Sequence, residues 1–153
     1  MNNEPRPSGW RTSPGQNVEL SPSEEEDTRR ELYLQWLLTL APLTGNEFEL
    51  RPLPESKPDG RTLTGVSVRR AGSPHVQLFF DQESGLLSRV FVPRWVEAGQ
   101  QKRREIIISK HKKVDDMTLP AALIDRRDGE RYLEWETIDY RFERIDEKLF
   151  ERP

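Results

Sequence analysis

The chain has 153 residues, enough for one sizeable core but not for two comfortable ones. Its apolar fraction of 33% and its 12 prolines imply that part of it is solvated or extended. Twenty-four basic residues against 27 acidic ones leave a net charge of −3, which argues against a protein that tracks nucleic-acid phosphates, and zero cysteines exclude disulfides, thiolate metal sites and thiol catalysis.

The opening, MNNEPRPSGWRTSPGQ, is rich in Pro, Gly, Asn and Ser. It predicts a flexible N-terminal arm over residues 1–20, with Trp10 as its only plausible anchor. These residues lack the apolar run of a signal peptide, and no stretch of the chain is long and apolar enough for a transmembrane segment.

A helix is predicted from Pro22 to Leu40. Ser21 and Glu24 form a capping box, Pro22 occupies the first helical position, and Glu24, Glu25, Glu26 and Asp27 suit the positive end of the helix dipole. Further along, the polar residues Thr28, Glu31, Gln35 and Thr39 recur at helical spacing, a narrow stripe on a helix otherwise apolar nearly all round. Such a helix is expected to be cradled by a curved sheet or covered from two sides.

From Glu47 onward the period shifts toward two. Strands are expected around Phe48–Leu50, Val66–Val68, 75–80, 86–92, 104–109, 121–125 and 132–142. PLPESKPDGR reads as a loop, VDDMTLP as a turn, and Arg127-Asp128-Gly129 as a tight hairpin turn. About seven strands joined by short connections imply an antiparallel meander with no internal repeat. The fold class is α+β, mainly β: a curved antiparallel sheet or incomplete β-barrel with one long helix packed in its concave face, forming a single domain over residues 21–153.

The chemistry-bearing residues favour no reaction. His75 and His111 lack partners at metal-ligand spacing, and Glu134 with Glu136 fits the solvated face of a strand. No nucleophile elbow, phosphate loop, dinucleotide fingerprint or zinc-protease motif is present. Neither a catalytic residue, a metal site nor a cofactor is therefore assigned. The basic clusters Arg69-Arg70, Lys102 to Arg104, Lys110 to Lys113 and Arg126-Arg127 read as solvated strand ends that discourage edge-to-edge pairing, with no nucleic-acid partner.

The order of features resembles the C-terminal part of the outer-membrane lipoprotein-sorting, or periplasmic lipoprotein-carrier-like, superfamily, over roughly residues 30–153. Three signatures carry the resemblance: the hairpin from Phe80-Asp81 to Gly85-Leu86-Leu87, the turn from Asp115 to Pro120, and the chain end from Phe150 to Pro153. In the turn, Asp116 stands where the family has glycine, and Asp tolerates left-handed backbone better than most residues.

The resemblance implies a half-barrel whose hollow holds acyl chains, and a setting in the periplasm or cell envelope. Family members carry a signal peptide and earlier strands where this chain has its polar arm, so it is expected to be a shortened relative or the rear part of a longer exported protein. The hydrophobic groove is expected to be lined by Tyr33, Trp36, Leu37 and Leu40 from the helix, and by Val76, Leu78, Phe80, Phe91, Ile106 and Ile108 from the sheet. Its occupant would be an acyl chain or a lipidated protein. The alternative is a structural module with a filled core, paired as a homodimer through an open sheet edge.

Overall fold

The structure, a computed structural model, describes residues 9–150. Residues 1–8 of the expected arm, and the chain-end signature beyond Phe150, lie outside the described residues. Within the arm, β1 (Trp10–Ser13) and β2 (Gln16–Glu19) pair as a separate antiparallel hairpin. Leu20 then donates its N–H to the Gly9 carbonyl at 2.8 Å, which continues the hairpin, and the Gly9 amide donates to Glu25 Oε1, which ties it to the start of the helix.

Helix α1 spans Pro22–Leu38, and both halves of its capping box form: the Glu24 amide donates to Ser21 Oγ at 3.3 Å, and the Ser21 amide to Glu24 Oε2 at 2.9 Å. The helix stops two residues earlier than expected. Leu40 adopts a left-handed backbone (φ 61°), and Pro42 follows in a short 3-10 turn, so the helix cannot continue.

Seven strands follow as one antiparallel meander in sequence order: β3 (Glu49–Ser56), β4 (Leu63–Arg69), β5 (Val76–Asp81), β6 (Leu87–Glu97), β7 (Gln100–Val114), β8 (Met117–Arg127) and β9 (Glu130–Trp135). The sheet does not close into a barrel, so β3 and β9 remain its edges. Register shifts interrupt the β3–β4, β5–β6, β6–β7, β7–β8 and β8–β9 pairings. Each extra residue bends its strand and sharpens the twist, which gives the sheet its curvature.

Three stretches depart from the sequence expectation. β3 runs through Pro52 and Pro54, where a loop is expected; an edge strand can hold prolines because its outer side needs no donor. β6 and β7 extend to a turn at Ala98-Gly99, both residues left-handed (φ 48° and 74°). At the next turn Asp115 takes the left-handed backbone (φ 52°), not Asp116.

The last strand is shorter than the expected 132–142, ending at Trp135. Its ladder with β8 stops at the pair of Leu123 with Trp135, and the chain bends at Glu136. Beyond Trp135 two hydrogen bonds hold the chain to β8: the Ile138 amide to the Ala121 carbonyl at 2.9 Å, and the Tyr140 hydroxyl to the Pro120 carbonyl at 2.7 Å.

α1 lies in the concave face and buries Tyr33, Leu34 and Leu37. Beneath it Val68, Val76, Leu78, Val90 and Val92 are wholly buried and form the centre of the core. The helix is not enclosed on all sides, because Leu32 and Trp36 face solvent, Trp36 with 43% of its surface exposed. Nor does the stripe of Glu31, Gln35 and Thr39 point away from the protein: these residues lie over the β7–β9 half of the sheet.

On the convex face Gly65 of β4 sits under Phe79. A Cβ there would meet Leu53 Cβ at 2.8 Å and the Phe79 ring at 2.9 Å, so only glycine allows this approach.

Candidate functional site

The concave face has two unlike halves. Over β4–β6, Leu37 of the helix is wholly buried in the core with Val68, Val76, Leu78, Val90 and Val92. Over β7–β9 the helix stands clear of the sheet, and a pocket of about 310 Å³ opens between them.

Strand alternation fixes the floor of that pocket. Arg104, Ile106 and Ile108 share one face of β7, and Leu123, Asp125 and Arg127 share the facing positions of β8, paired as Arg104 with Arg127, Ile106 with Asp125 and Ile108 with Leu123. Ile106 and Leu123 give an apolar floor, and Leu34 and Leu38 of α1 form the opposite wall. The rim comes from the end of the sheet: Leu133 and Trp135 of β9 keep 40% and 50% of their surface exposed, and Ile138 and Tyr140 complete it.

One end of the pocket is charged. Arg104 and Asp125 are 4% and 3% exposed and bonded side by side, with Arg104 Nη2 donating to Asp125 Oδ2 at 2.7 Å and Nε to the same oxygen at 3.1 Å. Arg127 Nη1 donates to Asp125 Oδ1 from the other side, and its Nε lies 3.4 Å from Glu97 Oε2. From the helix, Glu31 accepts from Arg104 Nη1 at 2.6 Å and Nη2 at 3.1 Å.

The Arg104 guanidinium also stands 4.3 Å from the centroid of the Trp95 ring, which holds the fork in one orientation. A buried charge survives only when paired and hydrogen-bonded, and here every charge is.

Burial works to raise the pKa of the Glu31 carboxyl, but the hydrogen bonds and charge of Arg104, helped by Gln35, outweigh it and hold the group below its ordinary range. Burial likewise works to lower the Arg104 pKa, and Glu31 and Asp125 reverse the shift upward. Both groups therefore stay ionised at neutral pH.

The groove residues expected from the sequence are dispersed. Ile106 alone of them lines the pocket. Tyr33, Leu37, Val76, Leu78 and Ile108 are buried in the core, with Leu40 and Phe80 partly buried against it. Trp36 lies on the outer flank of the helix, its ring centroid 6.0 Å from that of Phe48, with the Arg70 guanidinium 5.6 Å from each ring. Phe91 is on the convex face, because Val90 and Val92 point inward and a strand alternates.

Arg104 and Arg127, read from the sequence as parts of solvated basic clusters, are buried. Two signals could have marked the charged end. One is the polar stripe on an apolar helix; the other is the inward phase that Arg104 shares with Ile106, and Asp125 with Leu123.

Comparison with family models, with curated proteins and with solved structures gives no match.

Proposed function

We propose that this protein is a non-enzymatic carrier that binds an apolar molecule, one short acyl or hydrocarbon chain, in the pocket between α1 and β7–β9. The observation that carries this reading is unfilled apolar volume beside a filled core, opening through a rim of exposed Leu133 and Trp135. At about 310 Å³ the space equals roughly ten liquid-water volumes of ~30 Å³, suited to a single chain of roughly eight to ten carbons rather than a many-chained lipid. Burial of about 0.8 kcal/mol per methylene gives roughly 6–8 kcal/mol for such a chain before the cost of association, which sets micromolar affinity as the upper limit.

The resemblance to lipoprotein carriers supports the same class of ligand, free or attached to a lipidated partner, and an envelope setting. The neutral fluorophore N-phenyl-1-naphthylamine tests the reading. Saturable binding is expected with a blue-shifted emission, and Leu38→Trp, which extends a side chain into the space, should weaken it at least tenfold. Absence of saturable binding, or equal binding by Leu38→Trp, would overturn the proposal.

A further inference from the structure

Accepting the pocket as the ligand site, we infer that it selects amphiphiles whose polar end donates hydrogen bonds, amines first and alcohols next, and that it rejects carboxylates. The charged end of the pocket has an arginine in its wall, which at first suggests an anion site. Its hydrogen bonds point the other way.

All three nitrogens of Arg104 already donate to protein carboxylates: Nε and Nη2 to Asp125, Nη1 and Nη2 to Glu31. Asp125 is equally occupied, between Arg104 and Arg127. The charges at this end are Glu31, Asp125 and Glu97 against Arg104 and Arg127, three negative to two positive, so one negative charge is in excess. Of the three charged residues that line the pocket, Glu31, Arg104 and Asp125, Glu31 is the one that reaches solvent, its side chain 38% exposed against 5% and 4%.

An incoming head group at this end therefore meets the Glu31 carboxylate, which has acceptor capacity beyond its Arg104 bonds. Gln35, one turn along the helix, has its amide nitrogen 3.5 Å from Glu31 Oε1 and lines the same wall. A carboxylate ligand could reach Arg104 only by displacing Glu31, and would then lie against two carboxylates in a partly dry site. An ammonium or hydroxyl group needs no such displacement.

Displacement of bound N-phenyl-1-naphthylamine by three ten-carbon ligands at pH 7 tests this. Decylamine is expected to displace the probe at a concentration at least tenfold below decanoate, with decanol between them. Glu31→Gln should remove the advantage of decylamine and improve decanoate. Glu26→Gln removes the same charge from the same helix, away from the pocket, and should leave the order as it is.

Decanoate matching or exceeding decylamine while the probe binds would overturn the head-group selection and leave the carrier reading standing. A probe that does not bind would overturn the carrier reading itself. If the order follows net charge, shifting as far in Glu26→Gln as in Glu31→Gln, the assignment to Glu31 fails. Should Glu31→Gln not fold, the order measured with the unaltered protein and with Glu26→Gln still decides the selection.

Discussion

Glu31 joins the helix to the sheet through Arg104, and its carboxyl pKa is lowered in the folded protein. A carboxyl with a lowered folded pKa adds stability above its unfolded value, about 4.3 for glutamate, and that stability is lost as pH falls through the folded value. The unaltered protein should therefore exceed Glu31→Gln in urea-unfolding free energy by a constant amount from about pH 5.5 to 8, and the gap should narrow as pH falls below about 4.3 and close only below the lowered folded value. We expect about 1 kcal/mol, small for an ion pair because solvent screens the exposed part of Glu31.

A gap that stays constant down to pH 3 would mean that the charge of Glu31 contributes nothing. These charges were the least legible part of the sequence. Lys102-Arg103-Arg104 and Arg126-Arg127 look like surface clusters when counted as runs, yet alternation divides each run between two faces and buries one arginine from each.

Helix and strands were legible because each follows one period for many residues, and the Ser21-Glu24 capping box and the Asp128-Gly129 turn were readable from residue type alone. Where the element boundaries moved, a local signal was missing or contradictory. Two prolines hid the second half of β3, and the alternation of 132–142 continued past Trp135, where the ladder with β8 stops.

The turn at Ala98-Gly99 gave no warning, since alanine rarely takes the left-handed backbone it adopts there. That makes it improvable. Ala98→Asn supplies the Asn-Gly pair that such two-residue turns favour, and should raise stability by about 0.5–1 kcal/mol, seen as a higher urea midpoint with an unchanged slope. The backbone N–H of residue 98, which donates to Asp27 Oδ2 at 3.1 Å, is retained in this variant. A lower midpoint would show that the turn needs the small side chain more than it needs relief of strain.

At the scale of the whole molecule, one helix covers the concave face of seven strands and is asked to do two things: fill the β4–β6 half and roof the β7–β9 half. An apolar helix beside an alternating sheet made their contact legible. It could not report how far the helix stands from β7–β9, because that gap depends on bulges and on buried ion pairs that no single stretch of sequence displays. The edges are guarded differently, β3 by Pro52 and Pro54 and β9 by Glu130, Arg131 and Glu134, both familiar deterrents to strand pairing between molecules.

The two ends of α1 are fastened unequally. In its first half Asp27 accepts from the Ala98 amide, and at its middle Arg30 Nε donates to the Val96 carbonyl at 3.0 Å, so this part of the helix is clasped to the β6–β7 hairpin. Its last turn has no basic residue to complement the dipole and runs into the left-handed Leu40 without a glycine. Amide hydrogen exchange should consequently be graded along one helix, with the amides of Leu38 to Leu40 exchanging well before those of Arg30 to Leu34. An occupant of the pocket, touching Leu38 and Thr39, should slow the fast end and leave the slow end almost unchanged. Uniform exchange along α1, with and without occupant, would show instead that it opens as a single unit. A graded profile would make the roof of the pocket the least stable turn of the helix, so that ligand exchange could proceed by local fraying while the core beneath Leu37 stays shut.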